Sequence, residues 1–129
     1  MLFRIANYAM AALFLVAVAL QYNDPDPIRW MAIYGAAALA CVQLGRHRRD
    51  WIPPVVVWFA AIFWFGVMIP DLLQYCEPAD LFRSMDDTGG AAELAREAGG
   101  IVLTAGWMLL LLWRSRSGLD PSARSRSRT

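Results

Sequence analysis

Two short stretches of this sequence carry oxygen ligands in patterns that could do chemistry. The first is Gln21-Tyr22-Asn23-Asp24-Pro25-Asp26-Pro27. Each aspartate precedes a proline, which biases it towards extended backbone. The result is a stiff, acid-bearing turn able to hold a cation or a polar headgroup. The plainer role is structural: Asp26 caps a helix that has Pro27 at its first position, and Asn23 closes the helix before it. The second stretch is Glu93-Leu94-Ala95-Arg96-Glu97-Ala98-Gly99-Gly100. Glu93 and Glu97 are four apart and share one helical face, with Arg96 three from Glu93 and able to pair with it. If the two stretches meet, Asp24, Asp26, Glu93 and Glu97 converge. Such a set suits a hard cation, Ca²⁺ or Mg²⁺, which takes oxygen ligands. The spacing matches no established cation loop.

The other chemical candidates are weak. Asp87-Thr88-Gly89 has the form of the aspartic-protease triplet, but it occurs once, in a loop. No Gly-rich phosphate loop, Ser-His-Asp set or His-x-x-x-His pair is present. The single histidine, His47, sits in an arginine-rich run and reads as a solvated loop residue. Cys41 and Cys76 lack metal-binding spacing and fall on opposite sides of the architecture derived below.

Four apolar blocks must position the acidic stretches. Hydrophobic residues make up 58% of the 129 and charged residues 18%. About 20 apolar residues cross about 30 Å of hydrocarbon as a helix. The pattern predicts helices over about 2–21, 28–44, 52–69 and 93–113. The fourth apolar run is short from Gly99, so its helix has to reach back to Glu97 and Glu93 to span. A carboxylate at that depth is costly and faces the protein interior or a wet cavity. Helices are expected because lipid leaves no other partner for backbone N–H and C=O groups. Ala17-Val18-Ala19 has the form of a signal-peptidase site, but the long apolar run fits a retained helix better.

The expected fold is an all-α, four-transmembrane-helix up-down bundle over residues 1–114, with an acidic loop at 70–92. An Arg/Ser-rich tail follows at 115–129 and reads as disordered, with arginines able to lie on anionic lipid. Nine of the twelve arginines fall on the side of the termini, which the positive-inside rule makes cytoplasmic. Nine of the eleven acids then face outwards. The use of arginine without lysine points to a GC-rich bacterial genome, hence a bacterial cytoplasmic (inner) membrane. Ala32, Ala36 and Ala40, and Gly100 with Thr104, form small stripes for helix packing or for a homo-oligomer face. Asn7, Gln43 and Thr104 are expected to make isolated inter-helix hydrogen bonds. No ionisable residue lies mid-span, which argues against a proton pump. The net charge of +1 gives no field for nucleic acid.

The helix ending in Gln21, then Asn23-Asp24-Pro25-Asp26 with Trp30 and Tyr34, resembles the transmembrane 220 family of small membrane proteins. So does the later Glu93-x-x-Arg96-Glu97-x-x-Gly100, followed by an apolar helix with Trp107. The likeness covers roughly residues 4 to 113; the loop from Glu77 to Ala92 and the arginine tail have no counterpart in it. It implies the membrane fold, draws attention to the same two stretches and adds no reaction.

Three functions are consistent with these residues. The leading one is a non-enzymatic binding or accessory protein whose acidic outer face, through Asn23, Asp24, Asp26, Glu93 and Glu97, holds a cation, a headgroup or a membrane partner. The second is a metal-dependent enzyme acting on a lipid or envelope substrate, with Asp24 or Asp26 on the metal and Glu97 as acid or base. The third is a structural subunit of a larger complex, using the small stripes.

Overall fold

The computed structural model describes residues 1–46, 50–82 and 90–117. His47, the acids Asp86 and Asp87, the triplet that Asp87 opens, and the tail beyond residue 117 lie outside the described residues. Four α-helices follow in order: α1 (Leu2–Leu20), α2 (Pro27–Arg46), α3 (Ile52–Tyr75) and α4 (Ala91–Ser117). Short 3-10 turns lie at Gln21–Asn23 and Pro78–Phe82. All four helices are long and apolar enough to cross a membrane. At 1.5 Å per residue, the 19 residues of α1 span about 28 Å and the 24 of α3 about 36 Å.

The surface is that of a protein solvated by lipid. Leu13, Val16, Phe59, Phe63, Val67, Val102 and Leu109 all point outwards. In water such a continuous apolar exterior would drive aggregation; in hydrocarbon it needs no cover.

Helix ends depart from the expected boundaries in ways that physics explains. Pro27 opens α2, where its missing N–H has no intrahelical partner to lose. The turn before it is closed by Asp24, whose Oδ1 accepts the Asp26 N–H at 2.9 Å. Asp26 does not cap α2 as expected. Its carboxylate lies 3.7 Å from Arg29 instead, on the exposed surface. The expected end of α3 at Ile69 is also corrected: the helix passes through Pro70 to Tyr75. A proline inside a helix removes one hydrogen bond and crowds the carbonyl four residues back. That residue is Gly66, which is exposed and has open space beside it.

Much of the expected 70–92 loop is therefore structured. Beyond α3, the Asp80 carboxylate accepts the Glu77 N–H at 2.7 Å, and Leu81 rests on Gly99 of α4. Cys76 Sγ donates to the Ala91 carbonyl at 3.3 Å. Gly90 takes φ 97°, a left-handed conformation that favours glycine. Its carbonyl accepts the Leu94 N–H, so α4 begins at Ala91, a little ahead of the expected Glu93. At the other end α4 runs past Trp113, and Ser115 belongs to the helix rather than to the tail.

α1 packs chiefly on α2, and α3 on α4, with α2 also touching α3 and α4. The buried face of α2 is Trp30, Ile33, Tyr34, Ala37, Ala38, Ala40, Cys41 and Leu44. This corrects the expected Ala32–Ala36–Ala40 stripe, since Ala32 is exposed. The two aromatic rings at the start of α2 set the helix phase, and the small residues one to three turns on follow them inwards. Near the termini, α1 reaches α4 through large side chains. Phe3 stacks on Trp107 with centroids 6.2 Å apart, and the Arg114 guanidinium lies 4.5 Å above Phe3. Asn7 is buried here. Its Nδ2 donates to the Cys41 carbonyl at 2.7 Å, and its Oδ1 accepts from Trp107 Nε1 at 3.4 Å. Asn7 thus ties three helices together. Thr104 does not, because its hydroxyl donates back to the Gly100 carbonyl of its own helix at 2.8 Å, and Gln43 is exposed.

Replacing Asn7 by alanine is expected to lower stability in detergent by about 1 kcal/mol, the usual scale for an intramembrane hydrogen bond. Equilibrium unfolding in mixed micelles measures it. A variant as stable as the parent would show that the three-helix tie contributes nothing.

Candidate metal centre

The acidic turn and the start of α4 meet at the end of the bundle away from the termini. Ligand oxygens of Asp24, Glu93 and Glu97 all lie within 4.8 Å of one another. Two constraints bring them there. The extended backbone before Pro25 holds Asp24 half-buried in the turn. The helical repeat then sets Glu93 and Glu97 one above the other on α4. Arg29 and Asp26 pair at the exposed rim.

Of the five sequence-derived site residues, three are joined. Asp26 stands outside the oxygen cluster but close enough to repel Glu97 electrostatically. Asn23 is exposed at the end of its 3-10 turn and is not part of the cluster. Glu97 bears the greatest electrostatic load. It is half-buried, and Asp24, Glu93 and Asp26 all repel it. Three carboxylates this close in a partly desolvated place repel one another strongly unless a cation or protons intervene.

Aromatic rings form the floor. Trp30 stacks against Tyr34 at 6.1 Å and meets Trp64 of α3 in a tilted contact at 4.9 Å. Tyr34 also stacks against Phe14 of α1 at 6.3 Å. Arg29 lies 5.9 Å from the Trp64 ring centre, which anchors the rim cation over an electron-rich face. The Tyr34 hydroxyl sits against Gly100, where a Cβ would collide with it. Tyr34 and Gly100 were not among the residues singled out for chemistry. A signal was present, since Tyr34 follows Trp30 by four residues and Gly100 follows Glu97 by three. Each therefore lies one turn inwards of a residue at the mouth.

Outside the cluster, burial first and the Asp80 carboxylate second raise the Cys76 thiol above the ordinary thiol pKa. Both cysteines are free.

Gly100→Ala is expected to cost about 1–3 kcal/mol of stability, the range for overpacking. Tyr34 is packed between Phe14 and Trp30, which resist its moving aside. In a Tyr34→Phe background the same substitution should cost clearly less, because the colliding oxygen is gone. A double-mutant cycle by thermal unfolding reads the difference; equal costs in both backgrounds would contradict the close fit.

The family model described as transmembrane family 220, helix, matches residues 13–113. No curated protein and no solved structure matches the chain.

Proposed function

We propose that this chain, which belongs to transmembrane family 220, is a binding protein that holds a hard divalent cation between Asp24, Glu93 and Glu97 at one mouth of its helix bundle. The observation that carries this reading is the meeting of three carboxylates from two distant segments within 4.8 Å. Oxygens on opposite sides of a bound Ca²⁺ are about 5 Å apart, so the spacing suits such an ion. The ion would neutralise most of the repulsion at Glu97 and would link the α1–α2 turn to α4. The reading is of binding and not of a reaction.

The chain is an integral, multi-pass membrane protein. We place its termini in the cytoplasm of a bacterial cell and the cluster on the outer side of the inner membrane. Arginine placement supports this orientation, with Arg4, Arg46, Arg114 and Arg116 at the terminal end.

Two measurements test the reading. Thermal unfolding in detergent, with chelator and with Ca²⁺, Mg²⁺ or Mn²⁺, should show a midpoint that rises with cation concentration, since a ligand that binds the folded state stabilises it. Glu97→Gln should abolish the rise and should unfold no earlier than the parent in chelator, because it removes a repelled charge. No rise with any cation would end the metal reading. For orientation, Cys76 in intact cells should react with a membrane-impermeant maleimide. Its rate should climb with pH through a midpoint above that of an ordinary thiol, because the raised pKa leaves little thiolate at neutral pH. Reaction only after lysis would reverse the orientation.

A further inference from the structure

The buried polar side chains of the bundle have hydrogen-bond partners: Asn7 on the Cys41 carbonyl, Thr104 on the Gly100 carbonyl and Asp80 on the Glu77 N–H. Among the described residues the Trp30 indole N–H and the Tyr34 hydroxyl are the exceptions, and of the two only Tyr34 has the clustered acids as electrostatic neighbours. Its side chain is 7% exposed, yet its hydroxyl makes no hydrogen bond to any described residue. Buried tyrosine hydroxyls normally find a partner. The oxygen is also not sealed in, since no fully enclosed side-chain oxygen or nitrogen among the described residues lacks a partner. It is held against Gly100, one turn inwards of Glu97, and its electrostatic neighbours are Glu97 and Asp24. Those are two of the three clustered acids.

We propose that the Tyr34 hydroxyl is the inner ligand of the cation site, and that the site takes a Ca²⁺-sized ion stripped of part of its water. This rests on the reading that a cation binds at Asp24, Glu93 and Glu97. The phenol stays neutral. With the ion bound, a lone pair on its oxygen would face the ion and its proton would turn to a carboxylate oxygen of Glu97 or Asp24. A neutral ligand suits the inner side of the site, because a fourth carboxylate at that depth would be held without enough counter-charge. Three carboxylates and a phenol supply four or more oxygens from the α1–α2 turn, α2 and α4. That irregular, many-oxygen set fits Ca²⁺, which accepts six to eight ligands; Mg²⁺ demands a near-ideal octahedron and keeps several waters. The missing side chain at Gly100 gives the hydroxyl its seat.

Terbium(III) replaces Ca²⁺ and emits when nearby aromatic rings are excited, so it serves as the probe on the full-length protein in detergent. The parent protein should show sensitised emission that Ca²⁺ competes away more effectively than Mg²⁺. Emission lifetimes in H₂O and D₂O count the waters on the ion. Tyr34→Phe should gain about one bound water and lose about tenfold or more in Ca²⁺ competition, since even an outer-shell partner is worth about that much at a metal site. Its unfolding midpoint in chelator should match the parent, since the hydroxyl has no protein partner to lose. A second readout leaves Tyr34 in place. Tyr8, Tyr22 and Tyr75 are exposed, and with all three changed to Phe, Ca²⁺ should still perturb a tyrosine band in the ultraviolet difference spectrum. Unchanged hydration and competition in Tyr34→Phe, or no tyrosine perturbation in the triple variant, would overturn the role of Tyr34 and leave the cation site standing. No Ca²⁺-displaceable emission from the parent would overturn both.

Discussion

The seating of Tyr34 against Gly100 is the contact on which the rest of the arrangement depends. It sets α2 against α4 at a distance that only a residue without a Cβ allows. From that contact the aromatic floor follows, because Tyr34 shares its ring faces with Phe14 of α1 and Trp30, and Trp30 passes the contact on to Trp64 of α3. All four helices are thus referenced to one buried phenol near one mouth. The carboxylates lie directly beyond it. Their mutual distances follow from the register of α2 against α4 together with the stiff turn that carries Asp24.

A second set of contacts holds the other end of the bundle, and the two ends differ in kind. Near the termini, α1 and α4 are bridged by Phe3, Trp107, Arg114 and the neutral amide of Asn7. Neutral hydrogen bonds are the inexpensive way to join helices in hydrocarbon, and ionised groups are kept to the ends. At the mouth the link between the α1–α2 turn and α4 consists of like charges. Left to themselves they push the two segments apart. The proposed cation would offset that repulsion.

Proline and glycine place the boundaries that make this geometry possible. Pro25 and Pro27 keep the turn between α1 and α2 short and stiff. Gly90 turns the chain into α4 through a conformation with positive φ. The long α3, which continues through Pro70, carries the 3-10 turn at Pro78–Phe82 over to α4, where Leu81 rests on Gly99. The acidic stretch of α4 is thereby held by the loop on one side and faces the carboxylate of the α1–α2 turn on the other.

The sequence by itself determined the solvent and the element type. Four runs of apolar residues long enough for a bilayer leave the backbone no choice but helix, because lipid offers no hydrogen-bond partner. It also determined which acids could act, since Asp24 is held extended by the proline that follows it and Glu93 and Glu97 are set on one face by a four-residue repeat. Helix ends were less legible at Pro70, where a proline that usually stops a helix is accommodated opposite exposed Gly66. The stripe of alanines every four residues caught only part of the packing face of α2: Ala40 is buried and Ala36 packs on the core, but Ala32 is exposed, because Trp30 and Tyr34 set the helix phase. Only the tertiary structure decided which acids share a site. Asp26 turns outwards to Arg29, Asn23 stays in solvent, and Asp24 reaches across to α4. It alone decided that Tyr34 belongs there, since a tyrosine inside an apolar helix looks like any core residue until its hydroxyl is found without a partner. The physical reason is common to both cases. Periodicity and chain stiffness act along the chain, and sequence records them, whereas convergence depends on the rotation of one helix against another, which many distant side chains set together.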